Sequence, residues 1–391
     1  MTTLTAKPIL FDQQRLHAMM DRKEVDVLIV RGVENSKYLS GFFHNGANLG
    51  YRPFCVFYFR DSAIAPAFIV PAVDLHLAMD STWIKDVRAY AMAEFFTDVQ
   101  TKFYDDFFEA AAAVLTDRKV KNLRIGTEGD ALTYGFREKF YQWLGGAGHK
   151  PVDIAYDLEI VRVAKTPEEI VRLHKATAIT VAAHESFRAA IKPGNTDEDL
   201  HKAATIRMMQ EGAHQIRFIN IGCGPKTSFA AHCPYPYGHT MKYGDFVKVD
   251  MGAIYGGYYA DFVRSYFIGE ASQRQKDIWK WLNDAQLEVG NALRPGMIGG
   301  DIFDTFYRKI SKNLDKYPRE FIGHGIGLGS HEQPRMNHVN RAVLEANAVV
   351  CMESSYYHDG VRHHTEDTFL VKENGVDMWT EGCPRELIVP A

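Results

Sequence analysis

Two aspartates, Asp250 and Asp261, flank a Gly256-Gly257 pair inside a run rich in Val, Ile, Tyr and Phe. A Gly-Gly pair between such runs marks a tight β-hairpin turn. With Gly256 and Gly257 as the turn residues, Gly252 faces Asp261 and Asp250 faces Val263. The two acids are then diagonal neighbours on one face, roughly 7–8 Å apart at the backbone. Two carboxylates that close inside a sheet must protonate or share a cation. The alternative is a pair of solvated acids on an exposed face.

Downstream, His324 sits in Gly323-His324-Gly325-Ile326-Gly327, where glycines let the backbone approach closely and leave the imidazole as the reaching group. Glu353 ends the apolar run Val349-Val350-Cys351-Met352, and Glu366 enters another apolar run that continues through Phe369-Leu370-Val371. A lone His or Glu of this kind is usually a satisfied structural group. Five acids and imidazoles together in apolar strands point to a metal site, because buried acids are costly without a counter-charge.

The elements that must position these groups divide the chain in two. Of 391 residues, 46% are hydrophobic and 24% charged, and the formal net charge is −4. That composition suits an ordinary globular protein of two domains. No basic stripe points to nucleic acid, and no apolar run approaches the roughly 20 residues of a membrane span. The first residues lack the pattern of a secretory signal. The five cysteines, Cys55, Cys223, Cys233, Cys351 and Cys383, are scattered without a CxxC pair, which suits a reducing cytoplasm and argues against a thiolate zinc site.

Residues 1–158 read as an α/β domain, with a helix near Phe11–Arg22, strands at Val25–Arg31, Phe54–Phe59, Ala67–Val70 and Asn122–Gly126, and an Ala-rich helix near Tyr104–Leu115. The segment Tyr38–His44 reads as a loop. The boundary falls near Val161–Thr166, where Thr166-Pro167-Glu168-Glu169 combines an N-cap, a proline at the first helical position and a capping box. Residues 159–391 contain a faint repeat. Pro193-Gly194 followed by a helix holding Asp199 recurs as Pro295-Gly296 followed by Asp301, which predicts two similar α+β halves.

These residues resemble the pita-bread metallopeptidases, the family of methionine aminopeptidase, aminopeptidase P, prolidase and creatinase. The resemblance rests on Asp250-x-Gly252, Ala260-Asp261-x-x-Arg264, Gly323-His324-Gly325-Ile326-Gly327, and the late Glu353 and Glu366. Lys165-Thr166-Pro167-Glu168-Glu169-Ile170 and Tyr38-Leu39-Ser40-Gly41-Phe42 extend it to the prolidase–creatinase branch. It implies an α+β chain, with a pita-bread catalytic domain over 159–391 preceded by a smaller creatinase-type α/β domain.

The implied metal ligands are Asp250, Asp261, His324, Glu353 and Glu366, with Asp261 and Glu366 bridging two divalent ions. Four carboxylates balance two such ions, and a hard oxygen-rich shell suits Mn²⁺, Fe²⁺ or Co²⁺ at least as well as Zn²⁺. Two ions of this kind can share a hydroxide and polarise a substrate carbonyl. The implied catalytic groups are His232, His331 and Glu353, and the implied assembly is a homodimer. Phe42 and Arg52 are candidate lid residues, with Arg362 and His364 as further substrate-binding candidates.

Three departures fall beside the ligands. The family's proline-directed peptidases have Glu-Pro-Gly where this chain has Glu353-Ser354-Ser355, an Arg where it has His364, and often a Tyr where it has Cys233. The expected activity is an Xaa-Pro dipeptidase or aminopeptidase P-like hydrolase acting on a short peptide. The alternative is a pita-bread enzyme acting on a small non-peptide metabolite, as an amide or amidine C–N hydrolase or as a dimethylsulfoniopropionate-lyase-like enzyme. A non-catalytic relative would typically have lost ligands, and none is lost here.

Overall fold

The computed structural model describes residues 7, 9–44, 54–91, 103–229, 233–314, 316–317 and 319–391. The chain forms two compact units, Met1–Val161 and Arg162–Ala391.

The first unit is built on one seven-stranded sheet in the order β5-β4-β3-β2-β1-β6-β7. Its strands are β1 Val27–Val30, β2 Cys55–Phe59, β3 Ala67–Pro71, β4 Asp86–Tyr90, β5 Phe103–Tyr104, β6 Arg124–Thr127 and β7 Lys150–Asp153. The first three are apolar throughout because they are buried on both faces, where alternation would expose nothing to water. Six α-helices among the described residues accompany them: α1 Gln13–Arg22, α2 Val33–Ser40, α3 Leu75–Ser81, α4 Phe107–Asp117, α5 Tyr134–Gly146 and α6 Ala155–Val161. The Tyr38–His44 segment departs from its reading as a loop. Tyr38 and Leu39 lie fully buried in α2, which ends at Gly41 with φ 69°. A left-handed cap of this kind is where glycine is favoured. The Tyr-Leu-Ser-Gly signature is therefore a helix terminus.

The second unit opens with α7 Pro167–Ala190, started by the capping box that Thr166 and Glu169 form, and continues with α8 Asp197–Gln210. Strands β8 Gln215–Cys223, β9 Phe246–Tyr255, β10 Tyr258–Tyr259 and β11 Phe262–Ile268 follow. The second helix pair is α9 Gln273–Asn291 and α10 Gly299–Ile310, and the second sheet is β12 Gly323–Gly325, β13 Val349–His358, β14 Val361–Lys372 and β15 Gly375–Met378. The short β16 Ile388–Val389 pairs with β11.

The internal repeat is visible in the backbone. Gly194 and Gly296 turn between paired helices with φ 92° and 91°. Each donates its N–H across to its own half, to Met241 O and Leu344 O respectively. Isolated bridges Thr196–Thr240 and Ile298–Val343 repeat the same pairing. The core of the first half packs Ile179, Phe187, Leu200 and Met208 of the helices on Ile219, Val247, Val249 and Met251 of the sheet.

Candidate metal centre

The hairpin of β9 and β11 turns at Gly256-Gly257, whose φ values of 56° and 86° need glycine. Asp250 pairs with Val263, as the turn position requires. Gly252 is what lets the hairpin close at this point, since a Cβ there would lie 1.9 Å from Ala260 O. On the other sheet His324 of β12 pairs with Cys351, and Glu353 of β13 lies directly opposite Glu366 of β14. The sheets are pinned to each other at these strands. Thr368 Oγ1 donates to Asp261 O at 3.1 Å, Arg264 to Glu366 O at 2.7 Å and Ser265 Oγ to His364 O at 2.7 Å.

All five expected ligands converge. Carboxylate oxygens of Asp250, Asp261 and Glu366 lie within 4.8 Å of one another. His324 Nε2 lies 3.4 Å from Glu366 Oε1 and 3.9 Å from Glu353 Oε1. The five line a cavity of about 370 Å³ together with Arg319, His331, Ser355, Arg362 and His364. Residues 362, 364 and 366 reach the same cavity because side chains two apart in a strand share a face.

The electrostatics fit a cation. Burial, then the Glu366 charge, drives the Asp250 and Asp261 carboxyls well above the usual carboxylate range. Burial and Glu353 also raise Glu366. Asp261 Oδ1 is buried with no hydrogen-bond partner among the described residues. Clustered acids of this kind ionise together only around positive charge, and a donor set of carboxylates with one imidazole is a divalent-metal set. His324 itself is buried, which lowers its basicity, but Glu366 outweighs that and raises it.

Glu353 differs from the other acids. Burial would raise its pKa, yet Arg319 holds it well below the usual range through an ion pair at 2.6 Å. His364 Nε2 sits 2.9 Å from the same carboxylate oxygen, and Arg319 lies 3.0 Å from that imidazole nitrogen. Arg319 was not among the expected site residues. It arrives from the irregular segment before β12, where its position in sequence carries no periodic signal. The absence of an arginine at 364 was the available clue, because the acids still needed a cation.

The Ser354-Ser355 departure is a strand continuation. Both serines stay in the β13 ladder opposite Thr365 and His364, and Ser355 N donates to Tyr317 Oη. A proline at 354 has no N–H for such a ladder.

The remaining expected residues separate. His331 stacks on His324 with ring centroids 3.9 Å apart. Burial and that neighbour push its imidazole down to about 4. Arg362 lines the cavity, with its Nε buried and without a hydrogen-bond partner among the described residues. Burial brings His364 to about 4 despite Glu353. His232 and Arg52 lie outside the described residues. Phe42 corrects its lid expectation: it is 3% exposed, packed against Phe54 and Phe68 in the first unit. A side chain this deeply buried is a core group, so its aromatic character serves packing.

A family model for metallopeptidase family M24 matches residues 171–373. The chain belongs to metallopeptidase family M24. A creatinase/prolidase N-terminal domain model matches residues 13–164 of this M24 protein. It is 27% identical over 380 residues to an Xaa-Pro dipeptidase of Pyrococcus furiosus, covering 96% of this chain and 99% of that one. It is 30% identical to the uncharacterised peptidase YqhT of Bacillus subtilis, over 68% of this chain and 75% of that one. Among solved structures it resembles an X-Pro aminopeptidase from Thermotoga maritima with TM-score 0.80 at 22% identity, covering 97% of this chain and 99% of that one. The M24 protein thus pairs an N-terminal creatinase-type domain with a pita-bread domain and is a metal-dependent hydrolase. No helix among the described residues is long and apolar enough to cross a membrane.

Proposed function

We propose that this M24 protein is a dinuclear metallopeptidase that hydrolyses short peptides at an Xaa-Pro bond. The observation that carries the reading is the convergence of four carboxylates and His324 in one buried cavity, in a chain that aligns end to end with an Xaa-Pro dipeptidase. Asp250 would serve one divalent ion, His324 and Glu353 the other, with Asp261 and Glu366 between them. Bound ions of this kind polarise a scissile carbonyl and activate water.

The protein's own groups supply the rest. Arg362 and His364 present nitrogen to an anionic end of the substrate, and Arg319 holds Glu353 in place. His331, neutral near pH 7, can exchange a proton at the cavity rim. Mn²⁺, Fe²⁺ and Co²⁺ suit the oxygen-rich shell. Unpaired cysteines and the family resemblance support a cytoplasmic homodimer, which sedimentation would test.

A second reading has its own support. Glu353-Ser354-Ser355 and His364 depart from the pattern of the family's proline-directed peptidases, which favours a small non-peptide substrate cleaved at a C–N bond or by elimination. Protein loaded separately with Mn²⁺ and Fe²⁺ should release proline from Xaa-Pro dipeptides. Turnover of small zwitterionic metabolites alone would favour the second reading, and full activity after exhaustive chelation would overturn both.

A further inference from the structure

Beside the five expected ligands, the metal cavity is lined by Arg319, Arg362, Ser355 and His364. Two of these groups are already committed. Arg319 pairs with Glu353 at 2.6 Å, and His364 Nε2 sits 2.9 Å from the same carboxylate oxygen. Arg362 Nε and Ser355 Oγ, by contrast, are buried without hydrogen-bond partners among the described residues. Ser355 is 2% exposed, and its N–H donates to Tyr317 Oη at 3.2 Å, so its backbone is held while the hydroxyl stays unused.

Lys248 joins this end of the cavity. It is fully buried and shares a face of β9 with Asp250, two residues on. It lies opposite Ser265, whose Oγ donates to His364 O at 2.7 Å, and His364 lies opposite Ser355. Gly222, its partner on β8, leaves room for the stem, since a Cβ there would lie 3.0 Å from Lys248 Cε. The ammonium donates to a neutral carbonyl, Phe229 O, at 2.7 Å. A lysine is rarely buried without an anion of its own, because the desolvated charge is costly.

Positive charge is in excess here. Burial and then Arg319 lower the pKa of Arg362, and burial and then Arg362 lower that of Lys248. Asp250 acts on Lys248 in the opposite sense, but it is one of the four carboxylates that two divalent ions match. Arg319, Arg362 and Lys248 thus leave charge that the protein's own acids do not neutralise. Ser355 stands two residues from Glu353, as Lys248 stands two from Asp250, about 7 Å along each strand. A single residue attached to the scissile carbonyl can bring its carboxylates across that distance.

We infer that Lys248, Arg362 and Ser355 form a pole for a dianion, so that the enzyme also hydrolyses amide bonds whose released residue is aspartate or glutamate. The inference rests on the metallopeptidase reading above but not on its proline preference. Water gives its hydroxyl to the carbonyl carbon, the C–N bond breaks, and the freed nitrogen takes the remaining proton. A hydrogen bond to a charged group of this kind is worth about 10- to 100-fold.

The test uses full-length Mn²⁺-loaded protein with Gly-Asp and Gly-Asn, which differ in the second charge, and Gly-Pro beside them. Gly-Asp should exceed Gly-Asn by about tenfold or more in kcat/KM, mainly through KM. Lys248→Met keeps the stem and removes the charge, and Ser355→Ala removes the unused hydroxyl. At least one of them should reduce the gain to less than about threefold, with thermal melting and metal analysis checking that each is folded and loaded. Ser355→Ala should also melt no lower than wild type, whereas a hydroxyl kept for structure would lower it. Equal turnover of Gly-Asp and Gly-Asn, or a gain that neither variant moves, overturns the dianion pole. Cleavage of Gly-Pro alone overturns the pole and leaves the peptidase reading standing. Cleavage of none of the three overturns the peptidase reading and the pole together.

Discussion

Glu332→Gln should cost the M24 unit about 3 kcal/mol at pH 7, because this glutamate is the anion of a buried ionic cluster. Its carboxylate is 2% exposed and accepts from Lys165 Nζ at 3.0 Å and Gly329 N at 2.9 Å, with Arg162 at 3.2 Å. Burial alone would raise its pKa, but Arg162 and then Lys165 bring it from 4.5 to about 2. At about 1.4 kcal/mol for each unit of pKa, that difference is about 3 kcal/mol. The amide keeps the shape and removes the negative charge that Lys165 and Arg162 face.

The folded-state pKa is depressed, so the stabilisation is complete above pH 4.5 and fades as pH falls through about 2. The gap between wild type and Glu332→Gln in urea melts should therefore be widest at pH 5–8 and shrink steadily toward pH 3. Thermal melting at pH 7 should show a fall of about 6–12 °C. Activity should fall too, since Glu332 fixes the loop that carries His331. Equal stability at pH 7, or a gap that stays constant down to pH 3, would refute the reasoning.

Three further outcomes follow from the same geometry. Asp261→Asn should lower bound metal and reduce turnover by at least about 100-fold, read by elemental analysis and initial rates, with full metal content refuting its role as a ligand. Arg319→Ala should reduce kcat/KM by about 10- to 100-fold by releasing Glu353 and His364, and an unchanged value would remove Arg319 from the site. His363→Phe should stabilise the fold by about 1 kcal/mol, or about 2–4 °C in melting temperature. His363 is fully buried among Phe246, Phe267 and Trp279, both ring nitrogens lack hydrogen-bond partners among the described residues, and burial pushes its pKa to about 3. A destabilised variant would show that the imidazole has a partner after all.

Much of the site is legible in one dimension because its signals are local. The Gly256-Gly257 turn sets the hairpin register, and the register brings Asp250 and Asp261 to one face. Thr166, Pro167 and Glu169 start α7 by a cap that needs only neighbouring residues. The Tyr38–His44 segment was misread because its glycine signals a helix end as readily as a loop. Phe42 was misread because an aromatic residue beside a glycine looks the same whether it packs inward or faces a ligand.

The amino-acid order by itself picked out the five candidate ligands, the turn between the first two of them, and the doubling of the helix–turn–helix frame. Each of these depends on spacing over a few residues or on a motif. Only the tertiary structure decided that Arg319 reaches Glu353, that Glu332 is clamped by Lys165 and Arg162, and that Phe303, Tyr307, Phe321 and Val339 share one chamber. Those contacts join segments from irregular loops and separate helices, where no period constrains direction. Their partners are chosen by the packing of two sheets and four helices, which no local pattern encodes.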